Sequence, residues 1–249
     1  NGSVHTYSTL TAFRTWLASA KFPVVIDPDF STTSNADTGF NASTTLRNYG
    51  AAPEIYPGYK TLFRFDLSSI TSGSTCSAAT IKITTPDTQT RTGTPTISYY
   101  KISDANGDWI EGTGIPDTAK TGEPCWSYKA YDATNPISWA GSAGLSTAGT
   151  DYINTVLGSV TFPYTCNPGD SYTATFNADG RTVLQSWFGV ISNNGLVAIV
   201  TSGVGGWTQR VCMSEHATEA YRPVLTVTYT AGGVAIPIVQ YYNQLRRNK

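Results

Sequence analysis

Histidine is nearly absent from this chain of 249 residues, which holds only His5 and His216. Clusters of imidazoles, the commonest metal ligands and proton shuttles, are therefore excluded. No Gly-x-Ser-x-Gly occurs, so no strained strand-to-helix turn presents a serine nucleophile. The four cysteines never fall at Cys-x-x-Cys spacing, which argues against a thiolate zinc site. No apolar run approaches the roughly 20 residues that a membrane-spanning helix needs. Charge is also scarce. With 16 Lys and Arg against 17 Asp and Glu, the net charge of −1 leaves no basic footprint for nucleic acid or an anionic membrane. No internal repeat and no low-complexity linker divides the chain.

Serine, threonine, glycine and aromatic residues fill the space that charge leaves. Only 13% of residues are charged, a profile that suits an extracellular β-protein better than a cytosolic enzyme. The chain opens on Asn1 rather than Met, which fits removal of a secretory leader. Four widely spaced cysteines, Cys76, Cys125, Cys166 and Cys212, suggest two disulfides, with three pairings open, the alternative being four buried thiols.

Period-2 alternation dominates the middle of the chain. It predicts strands over 61–67, 78–85, 94–102, 150–153, 156–162, 172–176, 196–201 and 224–229, with short ones at 24–26 and 44–46. Gly73 lies in the linker 68–77, so the strands on either side of it read as a wide hairpin. Val183, Leu184 and Trp187 fall on one face of a short helix. Leu10, Phe13, Trp16 and Leu17 do the same over 8–21, where Ser8 or Thr9 can cap and Pro23 follows the end. Residues 103–150 form a long irregular segment, and its three tryptophans argue against disorder.

Three groups of residues could carry chemistry or contacts. Asp104, Asn106, Asp108 and Glu111 place oxygen ligands at near-alternate positions, as a calcium loop does, although the spacing is not that of an EF-hand. Calcium is thus a possible cofactor, and none is required. Trp126, Tyr128, Tyr131, Trp139 and Trp207 lie in loop segments, where exposed rings could stack on sugars or, equally, roof the core. The tail after Gly232-Gly233 is apolar and then basic. Ile238, Tyr241, Tyr242 and Leu245 sit at helical spacing, while Val234, Ile236 and Ile238 alternate as a strand would.

Several phrases in order resemble the DNRLRE family and the related disaggregatase-type and family-96 carbohydrate-binding modules. They are Asn48-Tyr49-Gly50, the run from Thr61 to Ile70, the run from Ala78 to Ile83, and the run from Asp108 to Gly114. Val183 to Trp187 with Asn193 to Leu196, and Ser214-Glu215 followed by Tyr221 to Val227, complete the set. The resemblance covers about 45–230. It implies an all-β, jelly-roll-type antiparallel sandwich with long loops, from surface proteins of which some bind polysaccharide. The cysteines, the N-terminal helix and the tail depart from the family pattern.

The expected organisation is a helical extension over 1–21, one sandwich over 22–230 and an assembly tail over 231–249. The expected function is that of a non-enzymatic structural subunit of an extracellular filament, sheath or virion. Its partners would be copies of itself or neighbouring subunits, engaged through the terminal extensions. The alternative is a carbohydrate-binding module that uses Trp126, Tyr128, Trp139 and Trp207.

Overall fold

The computed structural model describes residues 28–55, 60–90, 93–190, 193–202 and 210–232, together with Thr9, Thr11, Ala12 and Thr15. Most of the expected N-terminal helix therefore lies outside the described residues, as do the short strand at 24–26, Trp207, and tail residues Val234, Ile236, Ile238, Tyr241, Tyr242 and Leu245. Where the N-terminal segment is described, Thr11, Ala12 and Thr15 are helical, and the Ala12 amide donates to Thr9 Oγ1 as it would to an N-cap.

The fold is mostly β. Nine strands form one antiparallel sheet: β1 (Asp29–Thr33), β2 (Ala36–Phe40), β5 (Lys60–Arg64), β6 (Thr75–Thr84), β8 (Thr96–Lys101), β12 (Gly158–Thr161), β14 (Ser171–Phe176), β15 (Leu196–Ser202) and β17 (Val224–Thr230). Their spatial order is β1-β17-β6-β14-β12-β8-β15-β5-β2. Four two-stranded ladders pin the loops: β3 (Arg47–Asn48) with β9 (Asp117–Thr118), β4 (Glu54–Ile55) with β16 (Val211–Cys212), β7 (Gln89–Thr90) with β13 (Thr165–Cys166), and β10 (Tyr128–Ala130) with β11 (Ile137–Ser138). Among the described residues no helix is long and apolar enough to cross a membrane.

The sheet curls into a half-barrel, and its connectivity shows why. The edge strands β1 and β2 stand at opposite ends of the order, yet only Ser34 and Asn35 join them. So short a link reaches roughly 10 Å, so the two edges must come together at that corner. The Ser34 amide bonds Pro223 O beside β17, and the Asn35 amide bonds Arg64 O on β5. One dipeptide thus stitches both flanks of the seam.

Alternation sorts the side chains between the two faces of the sheet. Ile81, Ile83, Ile97, Tyr99, Ala174, Phe176, Leu225 and Val227 point inward and form the main core with Phe63, Phe65 and Leu196. Helix α1 (Ala178–Gln185) closes one side of this core. Asn177 Oδ1 caps it by accepting from the Gly180 amide, and Leu184, Trp187 and Phe188 pack inward from it. Complete burial of Leu184 alone contributes about 2 kcal/mol. The expected helical face is therefore present.

The opposite face is divided. At the β5–β2 end the long segment after β8 covers it, with Trp109, Trp139 and Leu145 packed on Phe40, Leu62, Tyr100 and Val197. Toward β1 the same face is a field of hydroxyls. Ser31, Thr226, Thr80, Thr175, Ser159 and Ser98 are register partners in turn across six neighbouring strands. Ser31 bonds Thr226 at 2.9 Å, and Ser98 bonds both Ser159 and Thr201 at 2.9 Å. Thr96–Thr161 and Thr84–Ser171 add two parallel links.

Four sequence expectations need correction. The four cysteines form no disulfide: Cys76, Cys125, Cys166 and Cys212 are all buried thiols. They pack as small apolar residues, and burial raises the Cys76 and Cys125 thiols and pushes Cys212 up to about 12. The expected hairpin across Gly73 does not form either, because β6 lies between β17 and β14 while β5 lies between β15 and β2. Neither 44–46, which turns ahead of β3, nor 150–153 is a strand; Tyr152 makes only isolated bridges to Ile102 and Ala148.

Candidate metal centre

Three carboxylates from distant parts of the chain meet at the seam. Asp37 stands on the edge strand β2, Glu111 on the segment that covers the outer face, and Glu215 just beyond β16. One oxygen from each lies within 4.8 Å of the others. The cluster could coordinate a divalent cation. Asp37 is fully buried (0% exposed), Glu111 half-buried and Glu215 exposed, so the site runs from the interior to solvent.

Backbone geometry fixes two of the three. The β2 ladder to β5 places Asp37 opposite Phe63, an inward position. Glu111 precedes Gly112, whose φ of +87° lets the chain turn; a Cβ there would also meet the Asn48 side chain at 2.4 Å. Asn48 holds that turn through four bonds. Its Nδ2 donates to Glu111 O and Pro124 O, and its Oδ1 accepts from the Gly50 and Gly114 amides.

The polar contacts around the cluster leave one conspicuous gap. Asp37 Oδ2 accepts from Ser34 Oγ at 2.5 Å and from the Ser214 amide at 3.0 Å. Glu111 Oε1 accepts from the Asp37 amide at 2.7 Å and from Ser214 Oγ at 3.4 Å, and Glu215 Oε1 lies 2.6 Å from the same hydroxyl. Asp37 Oδ1 is buried and has no hydrogen-bond partner. The neighbouring cation, Arg64, is engaged elsewhere: its Nη2 bonds Gly107 O and Trp109 O, and its guanidinium lies 4.3 Å from the Trp109 ring.

Electrostatics follow from this crowding. Two ionised carboxylates 4.8 Å apart repel by about 3 kcal/mol at an effective dielectric of about 20. Burial first, and then the charges of Glu215 and Glu111, push Asp37 up to about 7, although the Ser34 and Ser214 bonds oppose this. Burial and Glu215 likewise push Glu111 up to about 7, against the bond from the Asp37 amide. Arg64 opposes the rise at Glu111 only in part, and it acts from a distance, without an ion pair to any of the three carboxylates.

The residues singled out from sequence are placed differently. Asp104 pairs with Lys101 at 2.9 Å, and Asp108 with Lys129 at 2.6 Å. Asn106 is buried, donating to Asp151 and accepting from the Ala140 amide. Those three do not converge, and Glu111 turns away from them to join Asp37 and Glu215. Among the aromatic rings, Trp139 is core: its Nε1 donates to Cys125 O, and its edge meets Phe40. Trp126 is half-buried under Lys60, and Tyr128 and Tyr131 are half-buried with centroids 6.3 Å apart. The described rings thus do not form a single exposed platform.

Sequence reasoning missed Asp37 and Glu215. Glu215 lies within one of the phrases that carry the family resemblance, but nothing there marks it as a ligand. Asp37 falls in a stretch rich in Ser, Thr and Asn that reads as loop. Comparison with family models and with curated proteins returned no match.

Proposed function

We propose that the chain is a non-enzymatic structural subunit of an extracellular assembly, a surface filament, sheath or virion. In this reading the half-barrel belongs to a jelly-roll-type sandwich of the DNRLRE kind, and the extensions 1–21 and 231–249 engage neighbouring copies. The observation that carries the reading is the hydroxyl row across six strands of the outer face. Asp29 and Lys82 are the charged members of this otherwise hydroxyl-rich face, and the Ser31–Thr226, Ser98–Ser159 and Ser98–Thr201 contacts hold strand to strand. The covering segment supports the same reading, because its buried polar groups serve the backbone. Asp151 accepts from the Gly141, Ser142 and Thr147 amides and from Asn106, which commits it to holding the loop. Any cofactor in this reading is structural, and calcium is the ion it favours.

Light scattering with negative-stain imaging tests the proposal. The full chain should form large regular particles, and a chain ending at Thr230 should remain folded by circular dichroism yet stay monomeric. A full-length monomer, or assembly that survives the truncation, would overturn it.

One observation favours the second reading, a carbohydrate-binding module. A cavity of about 540 Å³ has walls of Phe40, Tyr49 and Ile55 and polar groups from Asn41, Glu54 and Arg210. Its volume falls in the range of small-ligand sites, roughly 300–1,000 Å³. A glycan array decides this reading: a hit abolished by Tyr49→Ala supports it, and a blank array removes it.

A further inference from the structure

We propose that Asp37, Glu111 and Glu215 hold a calcium ion at the seam where the two edges of the curled sheet meet. The cation would tie together three separate segments: the edge strand β2, the segment covering the outer face, and the loop after β16. The inference is independent of the assembly reading, since the site is complete within one chain.

Two observations carry it. The first is convergence: three acidic side chains meet at one corner without a cation committed to them. The second is Asp37 Oδ1, a carboxylate oxygen with no partner on a fully buried side chain. A buried carboxylate with one oxygen satisfied twice and the other not at all is a costly arrangement. A metal ion supplies the missing partner and also offsets the repulsion among the three groups.

The donor set selects the metal class. Every candidate ligand is oxygen: three carboxylates and the Ser214 hydroxyl lodged among them. Zinc is disfavoured, because no thiolate is in the cluster and the His216 ring is turned to Thr218 and stacked on Tyr221. Calcium takes oxygens at about 2.3–2.6 Å, so ligands on opposite sides of it stand roughly 4.6–5.2 Å apart. Magnesium, at about 2.0–2.1 Å in a near-ideal octahedron, adapts less readily to ligands fixed by three separate segments. The three oxygens all lie within 4.8 Å of one another, inside the span of a calcium shell. Bidentate carboxylates and water can complete its shell of six to eight oxygens.

The test uses the full chain, stripped with EDTA and titrated with calcium chloride at neutral pH by calorimetry, with melting curves in parallel. One calcium per chain with a dissociation constant of about 1 mM or below is expected, as in extracellular modules, together with a raised melting temperature. Magnesium should bind at least about tenfold more weakly. Glu215→Gln, a change at an exposed position, should weaken calcium at least about tenfold while leaving the metal-free melting temperature at or above that of wild type, since it removes one repelling charge. Amide exchange at Asp37 and Ser214 should slow when calcium is added. No heat and no thermal shift up to about 10 mM calcium would overturn the proposal, as would equal affinity in Glu215→Gln. A shared proton in place of a metal gives that negative result. Should Asp37→Asn fail to fold, Glu215→Gln still decides the question.

Discussion

Metal-free protein should lose stability as the pH rises from acid to neutral, the opposite of the usual acid-sensitive trend. Asp37 moves from its ordinary value of 3.8 in the unfolded chain to about 7 when folded. Between those values the folded state holds a proton that the unfolded state has released. Raising the pH then favours unfolding through that window, and the effect levels off above about 7. The full shift corresponds to about 4 kcal/mol, of which about 3 kcal/mol falls between pH 4.5 and 7.5. Glu111 acts in the same direction, with a smaller share because it is only half-buried. Asp66, Asp104, Asp108 and Asp132 are lowered instead, so their contribution is lost only below the ordinary carboxylate range. Starting at about pH 4.5 keeps them out of the comparison. The assay is urea unfolding in EDTA at several pH values, with wild type beside Asp37→Asn. Wild type should weaken by at least about 3 kcal/mol across the window, and the Asn variant should keep only the smaller decline that Glu111 supplies, under about half that of wild type. A wild-type protein as stable at pH 7.5 as at 4.5, or a variant that keeps the whole decline, would refute the reasoning.

Two further outcomes are expected. Denatured under non-reducing conditions, the chain should titrate as four thiols, and dithiothreitol should leave its melting temperature unchanged; fewer than four would restore a disulfide. Asn48→Ala should cost about 3–5 kcal/mol in urea unfolding, because it strands Gly50 N, Gly114 N, Glu111 O and Pro124 O, and a loss under about 1 kcal/mol would show that water replaces the side chain.

Local pattern made much of the sheet legible. Ile81 and Ile83, Ala174 and Phe176, and Leu225 and Val227 alternate because each strand buries one face, and all of them reach the core. The Val183–Leu184–Trp187 face was readable for the same reason at helical period. Pairing was not readable. Nothing in the segment around Gly73 shows that β6 leaves β5 for the far side of the sheet, since that choice depends on partners 87 to 155 residues away. The acidic site was hidden for a related reason. Its three members become neighbours only when the seam closes, while the compact Asp104–Glu111 string, readable as a ligand loop, is split among Lys101, Lys129 and Asp151. The cysteines misled because burial and cross-linking leave the same trace in a sequence.

The row of hydroxyls on the outer face has a consequence for the conditions this protein tolerates. Links between charged groups loosen as salt screens them and fail when one partner titrates. A serine or threonine hydroxyl neither titrates in the ordinary range nor carries a charge to screen, and it can donate or accept. The Ser31–Thr226, Ser98–Ser159 and Ser98–Thr201 links can therefore reverse direction without breaking. These hydroxyl links should hold equally in fresh water, brine and mild acid, in contrast to the acidic corner at the seam, whose carboxylates respond to both salt and acid.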